Sequence, residues 1–263
     1  MQRRHIVMFV LALGLAAAGT AAAAISAADR ASGTLNLSAA LTLNSRIGEC
    51  TPPPDMDECA LRTFQGPFPG LGVVNGRYEF HVDTGGPACS DFTGKAARYT
   101  IRVPVAGKGE LVVAVAEGPC VDSDSIRTHT QAFTVVGGTG SYVGATGSGT
   151  LGRALGEATD NGRHGQERWT GTLSVPGLEF DTNAPTLSGA TARTIRAKKG
   201  AKNARVAFTV TARDDRDESA AVACSPGSGT RFPLGKTRVT CTATDTSANS
   251  ATASFVVTVK RTR

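Results

Sequence analysis

The sequence has few of the side chains that usually carry catalysis. It contains only four histidines in 263 residues, and it has no G-x-S-x-G or H-E-x-x-H motif. Its six cysteines include no C-x-x-C pair and have no histidine beside them, which argues against a zinc site. No nucleophile, base and orienting group can be assembled from motifs. We therefore expect a binding protein rather than an enzyme, and we predict no cofactor.

Helical periodicity is also missing after the first thirty residues, and no internal repeat or second long apolar run follows. The chain instead has 31 glycines and 12 prolines, together with many threonines, valines and serines. This composition is typical of β-strands separated by frequent turns. We predict an all-β protein with room for a targeting segment and two modest domains.

The N-terminus resembles a secretory signal in its order of residue types. Arg3 and Arg4 precede an apolar stretch over residues 6–18, and small residues over 21–28 offer cleavage sites. An uncleaved anchor is the alternative, because residues 6–28 carry no charge and are long enough to span a bilayer. We predict a signal peptide over residues 1–28, secretion or location in the cell envelope, and no membrane span after cleavage.

Six cysteines in an exported chain predict disulfides. Four fall in the first half and two in the second, and the four allow three pairings. We favour Cys50–Cys59 and Cys89–Cys120, because each closes a shorter loop than the alternatives. The remaining two cysteines are Cys224 and Cys241.

The two halves of the chain carry opposite charge. Residues 25–181 contain 12 basic and 17 acidic side chains, whereas residues 182–263 contain 14 basic and 5 acidic ones. The basic half could contact the acidic half or an anionic surface. Lys198, Lys199 and Lys202 lack the interleaved aromatic residues of a nucleic-acid surface, so we predict no nucleic-acid partner.

A glycine-rich stretch, VVGGTGSYVGATGSG over residues 135–149, predicts a hairpin with close backbone approaches. It is not a dinucleotide-binding loop, because no helical pattern follows it. The stretch resembles the signature hairpin of allene oxide cyclase-like and dirigent-like barrels, and Trp169–Val175 is similar to their closing strand. This resemblance implies an antiparallel β-barrel with a central cavity but transfers no catalytic residue, because the acidic N-terminal motif of dirigent proteins is not matched.

The remaining pattern of the first half agrees with a barrel of about eight strands over residues 29–181. Residues 77–83 alternate, with Tyr78, Phe80 and Val82 on one face. If the other face lined the lumen, it would form an acid–base cluster, but in water it would be an ordinary solvated face; its members are Glu79, His81 and Asp83. Residues 111–116 are apolar on both faces and predict a fully buried strand.

Residues 181–186 predict a linker. Its Asp181 and Asn183, with Asp214, Asp215 and Asp217 further on, could supply oxygen ligands to a calcium ion between domains. An exposed turn without an ion is the simpler interpretation.

The segments 206–217, 223–245 and 254–259 resemble a hyalin repeat (HYR) domain, so we place this domain at residues 182–263. The resemblance implies an immunoglobulin-like sandwich and a role in adhesion. It also implies that Cys224 pairs with Cys241, while the family's outer cysteines are replaced by Gly189 and Ala253.

Together these observations predict a secreted, disulfide-stabilised protein that binds an extracellular protein or a cell-envelope polymer. One alternative is a barrel that binds, or isomerises, a small hydrophobic or phenolic molecule. Another is a structural envelope protein held to anionic polymers by its basic half.

Overall fold

The computed structural model describes residues 31–52, 54, 58–84, 93–122, 128–217 and 220–262. The predicted signal over residues 1–28 and Cys89 lie outside these ranges, so cleavage and the pairing of Cys89 stay predictions. Within the described ranges, no helix is both long enough and apolar enough to cross a membrane.

The N-terminal part is a closed antiparallel barrel of eight strands, as predicted. The ring runs β2–β1–β10–β9–β8–β6–β5–β3 and closes through the pairing of β2 with β3. The two short strands β4 and β7 extend the sheet from β3. The ten strands are β1 (Ala31–Ile47), β2 (Glu58–Phe68), β3 (Gly72–Thr84), β4 (Thr93–Ala96), β5 (Tyr99–Val105), β6 (Gly109–Val115), β7 (Val121–Asp122), β8 (Thr128–Gly138), β9 (Thr146–Leu155) and β10 (Arg163–Phe180).

Alternating apolar residues fill the barrel, because successive side chains of a strand point to opposite faces. The inward set forms one contiguous core that reaches from Leu35 in β1 to Phe180 in β10. Trp169 lies inside it. The prediction that residues 111–116 form a strand buried on both faces is wrong. Leu111, Val113 and Val115 are buried, but the residues between them are partly exposed because they face outward.

The glycine-rich stretch forms the predicted hairpin of β8 and β9, joined by a 3₁₀ turn at Gly140–Tyr142. Gly149 lies opposite Gly171 of β10. A Cβ at Gly149 would stand 2.1 Å from the Thr170 carbonyl oxygen and 2.8 Å from the Phe133 ring. The glycine therefore permits the close approach of β9 and β10 and leaves room for the aromatic core beneath it.

The C-terminal part contains three small sheets around a separate core. The sheets are β11–β14, β12–β18–β17–β15 and β13–β16, and they enclose residues such as Val206, Phe232 and Val257. The strands are β11 (Thr186–Ser188), β12 (Arg193–Arg196), β13 (Asn203–Arg205), β14 (Thr211–Arg213), β15 (Ala221–Ser225), β16 (Arg231–Pro233), β17 (Gly235–Thr244) and β18 (Ser250–Lys260). This arrangement agrees with the predicted sandwich.

The alternation at 206–212 buries Val206, Phe208 and Ala212, but residues 206–210 belong to no strand. The Ser228 side chain replaces a neighbouring strand at this point. It accepts a hydrogen bond from the Phe208 amide at 2.8 Å and donates one to the Phe208 carbonyl at 2.6 Å. A side chain therefore satisfies backbone groups that the sequence pattern assigns to a sheet.

Two disulfides lie within the described residues, Cys50–Cys59 and Cys224–Cys241. The first links the end of the β1 region to β2 across the proline-rich loop. The second joins directly paired residues of β15 and β17. Both are pairs that the sequence analysis favours.

Candidate functional site

The barrel contains a group of buried polar side chains that we call the interior polar cluster. Each member points to the inner face of its strand, as do apolar residues of the same strand. The alternation that builds the core therefore also directs these polar groups inward. For example, Arg153 follows Leu151 by two positions, and Glu167 precedes Trp169 by two. Its buried members are Arg62 in β2, Tyr78 in β3, His129 and Gln131 in β8, Arg153 in β9 and Glu167 in β10, and the partly buried Tyr99 in β5 completes it.

Arg153 and Glu167 form an ion pair whose side chains are both 0% exposed, with 3.1 Å between Nε and Oε2. Arg153 also donates to the Tyr78 hydroxyl at 3.0 Å, to Gln131 Oε1 at 2.6 Å and to the Tyr99 hydroxyl. Its Nη1 lies 3.2 Å from His129 Nε2. Such dense bonding is what a charge needs when it is removed from water.

Both carboxylate oxygens of Glu167 accept hydrogen bonds. Its Oε2 accepts from the Tyr78 hydroxyl at 2.5 Å as well as from Arg153, and its Oε1 accepts from the Trp169 indole at 3.0 Å. Burial raises the pKa of Tyr78 to about 12, so its phenol stays neutral and acts as a donor. The rings of Tyr78 and Tyr99 stack with their centroids 5.2 Å apart.

Arg62 is the second buried cation of the cluster. Its guanidinium carbon lies 3.4 Å from the centroid of the Phe80 ring, and its Nε lies 3.4 Å from Ser45 Oγ. Its Nη1 is buried and has no hydrogen-bond partner among the described residues. The interior polar cluster is therefore saturated around Arg153 and incomplete around Arg62.

The cluster lies toward one end of the barrel, which we call the polar end. Here β1 ends at Ile47 and β2 begins at Glu58, with the Cys50–Cys59 disulfide between them. Ser45 is paired with Arg62 two positions inside this end. At the other end the barrel meets the C-terminal unit, where the Gly70 amide donates to the Ser247 carbonyl at 2.9 Å.

Two of the three candidate acid–base residues, Glu79 and His81, lie outside the lumen. Glu79 is 58% exposed on the outer face of β3, and His81 is on the same face, with 3.7 Å between His81 Nε2 and Glu79 Oε2. The backbone of Asp83 continues β3, but its side chain lies outside the described set. Cys59, Glu79 and His81 approach one another, but the Cys59 sulfur is bonded to Cys50 and offers no thiolate to a metal.

The interior polar cluster was not predicted, although the alternation of polar with apolar residues in its strands indicates it. Arg62 shares the phase of Phe64 and Phe68, and Gln131 shares that of Phe133 and Val135. Side chains at every second position of a strand point to the same face. A charged or amide side chain that alternates in this way with apolar residues, on each of two paired strands, therefore indicates a polar group in the interior.

Three of the predicted calcium ligands come together at the junction of the two parts. Oxygens of Asp181, Asp214 and Asp215 all lie within 4.8 Å of one another. Asn183 donates to Asp215 Oδ2 at 3.1 Å. Asp217 is occupied elsewhere, because it accepts from the Thr246 amide at 2.8 Å and from the Thr246 hydroxyl.

The carboxylates at this junction are crowded. Burial, together with the neighbouring Asp214, Asp245 and Asp215, raises the pKa of Asp181 to about 6. Burial also raises the pKa of Asp245, with Asp214 adding to the effect. Hard oxygen ligands in such a group suit calcium, and binding of the ion remains a prediction.

Comparison with known proteins identifies the C-terminal part. Residues 180–259 match the HYR domain family, in agreement with the resemblance of the sequence. No curated protein and no solved structure matches the chain. The eight-strand barrel is present, and the likeness of the barrel to allene oxide cyclase-like and dirigent-like proteins stays a prediction from the hairpin sequence.

Proposed function

We propose that this protein works outside the cell as a disulfide-stabilised binding protein, attached to an anionic partner by its HYR part. Its localisation in the extracellular space or the cell envelope is part of the proposal. The support comes from the match to the HYR domain, which is associated with adhesion, and from the two disulfides.

The observation that carries the anionic partner is the separation of charge within residues 182–263. The outward face of the four-stranded sheet β12–β18–β17–β15 carries four exposed cations, and its described residues include no acid. We call this surface the basic face; its cations are Arg196, Lys236, Arg238 and Lys260. Arg196 and Lys260 are direct neighbours in the ladder, while Lys236 and Arg238 lie on the adjacent strand.

The described acidic residues of the same part gather at the opposite end, against the barrel. Asp215 bonds to Asn183 in the linker, and Asp217 bonds to Thr246, whose carbonyl lies beside Gly72 of the barrel. The barrel junction therefore takes the negative groups and leaves the basic face open. A patch of one sign attracts a partner of the opposite sign and does so less at high salt.

Salt-dependent retention on an anionic support tests this proposal. The full chain, loaded on dextran sulfate–agarose, is expected to bind at about 0.05 M salt and to elute well below about 1 M, where screening shortens the range of charge interactions to about 3 Å. A variant with glutamine at all four basic-face positions is expected to flow through.

The matched control removes the same number of charges from the outer barrel surface, by Arg77→Gln, Arg98→Gln, Arg102→Gln and Arg168→Gln. It should elute close to the wild type. Equal losses in the two variants would show that net charge, and not the basic face, holds the protein. Retention that ignores salt would also contradict the proposal.

Ligand binding by the barrel is a second candidate. It is supported by the convergence of polar side chains from six strands on one interior site and by Arg62 Nη1, for which the described part of the chain offers no hydrogen-bond partner. The guest in this proposal is a small hydrophobic or phenolic molecule, and isomerase-like or dirigent-like chemistry is the enzymatic form of the same idea. Native mass spectrometry of the purified chain tests it: a retained small molecule supports the candidate, and a mass equal to that of the protein alone opposes it.

A further inference from the structure

Arg62 is a buried cation whose hydrogen bonding is unfinished. The residue is only 4% exposed. Its guanidinium stacks on Phe80 and its Nε contacts Ser45 Oγ. Its Nη1 is out of contact with solvent and has no partner among the described residues. A native protein rarely leaves such a donor unsatisfied, and an ion or water is the usual explanation.

The charges that the described residues place inside the barrel do not balance. The nearby carboxylate, Glu167, already accepts from Tyr78, Arg153 and Trp169 through its two oxygens. Burial holds the pKa of Tyr78 at about 12, so no phenolate forms near neutral pH. Burial lowers the pKa of Arg62 to about 10, which still leaves it protonated. The cluster thus holds two cations and one anion.

A water molecule would satisfy the hydrogen bond but not the charge. An unpaired buried cation is strongly unfavourable, whereas a guanidinium pairs well with a carboxylate. An anion at Nη1 would accept the hydrogen bond and would also supply the missing negative charge. The missing negative charge therefore favours an anion over water.

The surroundings limit the size of this anion. Beyond the cluster the interior is filled by the apolar core, so no bulky group fits below Arg62. Arg62 lies close to the polar end, opposite Ser45 and two positions from the last pair of β1 and β2, Ile47–Ala60. A guest that entered from the polar end would therefore place only its charged group beside Arg62.

We propose that the polar end of the barrel is an anion-binding site in which Arg62 Nη1 donates to a carboxylate group. The carboxylate belongs either to a small free acid or to the head of a molecule whose apolar remainder extends toward the opening. The inference rests on the ligand-binding candidate for the barrel and is independent of the basic face.

Thermal unfolding of the full chain with acetate and with acetamide provides the test. The two probes have nearly the same size, and only acetate is charged. Sodium chloride keeps the ionic strength constant in all samples, so that a difference between the probes reports the carboxylate group and not the salt. Acetate is expected to raise the Tm by about 2–4 °C at ten times its Kd, and acetamide is expected to have no effect. Equal shifts with the two probes would overturn the proposal without any variant being needed.

Arg62→Met removes the charge while keeping a long side chain, and Arg168→Met makes the same change on the outer face of β10. The acetate shift should disappear in the first variant and persist in the second. Arg62→Lys keeps a cation and should retain a reduced shift, so it serves if Arg62→Met does not fold. An unchanged acetate response in Arg62→Met or a response lost in Arg168→Met overturns the proposal.

Hexanoate distinguishes the two sources of the carboxylate. A tighter Kd than that of acetate identifies a head group on an apolar chain, and an equal Kd identifies a small free acid. Retention on dextran sulfate–agarose is measured for Arg62→Met in parallel. If Arg62→Met is retained normally but gives no acetate response, the variant has lost the site in the barrel and has kept binding by the basic face.

Discussion

Arg153 depends on Glu167 because both lie entirely inside the barrel. Glu167→Gln keeps the shape of the side chain but removes the only carboxylate described in the interior polar cluster. The expected result is a loss of about 3–5 kcal/mol in the free energy of unfolding, since breaking a buried pair leaves a charge without compensation. Urea unfolding at pH 7 measures this loss.

The control for this change is Glu110→Gln. Glu110 pairs with Arg102, whose side chain is 63% exposed, so the loss there should be at most about 1 kcal/mol. A Glu167→Gln protein as stable as the Glu110→Gln protein would contradict the view that the interior charges hold each other in place.

Gly149 tests the close contact of the hairpin with the closing strand. Gly149→Ala would place a methyl group 2.1 Å from the Thr170 carbonyl oxygen, so we expect a loss of at least about 1–3 kcal/mol from overpacking. Gly152→Ala, in the same strand, would meet its nearest atom at 3.5 Å and should change stability little. Denaturant unfolding of both variants gives the comparison, and equal stability of the two would refute the explanation.

Individual side chains were the least predictable level from the sequence. The alternation of Tyr78 and Phe80 correctly separates two faces of β3, but it does not say which polar residues of other strands join them inside. Glu79 and His81 were candidates for the lumen and lie outside. Arg62 and Arg153 lie inside because they point to the same face of their strands as the apolar residues two positions away. This pattern predicts burial only when the pairing of the strands is also known.

At the scale of elements, the junction between barrel and sandwich carries the clearest pH dependence. The pKa of Asp181 is about 6 instead of 3.8, so the folded protein keeps a proton that the unfolded chain has already lost. Between about pH 4 and pH 6 the folded state binds more protons. Stability should therefore fall as the pH rises through this range and level off above it.

Thermal unfolding of the wild type and of Asp181→Asn from pH 4 to pH 8 isolates this contribution. The variant should show a smaller decline between pH 4 and pH 6, because Asp245, whose pKa is also raised, still contributes, and Asp160→Asn, in an exposed turn, should show the full decline. A decline of the same size in Asp181→Asn would assign the pH dependence to other groups.

Calcium binding at the same junction has its own test. If Asp181, Asp214 and Asp215 hold the ion, millimolar calcium chloride should raise the Tm at pH 7.5, because a ligand that binds only the folded state stabilises it. Sodium chloride at equal ionic strength should not raise it. Asp214→Asn should abolish the calcium shift, while Asp217→Asn should retain it because Asp217 bonds to Thr246. No shift in the wild type would exclude the predicted site.

Strand number and closure were predictable because turn residues and alternation occur along the whole N-terminal half. Segment 206–210 was not, because the hydroxyl of Ser228 takes the place of a strand beside Phe208. The sequence reveals periodicity, but it does not reveal whether a backbone or a side chain supplies the hydrogen-bond partner.

At the scale of the whole molecule, the acidic and basic residues of the C-terminal half occupy different places. The described acids of the C-terminal part lie near the barrel, where Arg216 also pairs with Glu179 at 3.1 Å. The cations of the basic face lie at the ends of β12, β17 and β18 that are far from the junction residues. Charge counting alone left open whether the halves contact each other or an external surface. The structure contains a mixed-charge junction and a basic face whose described residues include no acid.

The central claim is that this chain works outside the cell as an oxidised binding protein, and the mass of the exported protein tests it most directly. The full chain is expressed with its N-terminal segment, and the intact mass of protein recovered from the medium is measured before and after reduction. The account predicts a chain that begins near residue 29 and is lighter by one hydrogen for each of its six cysteines. Protein found only inside the cell, with residues 1–28 attached and its thiols reduced, would contradict it.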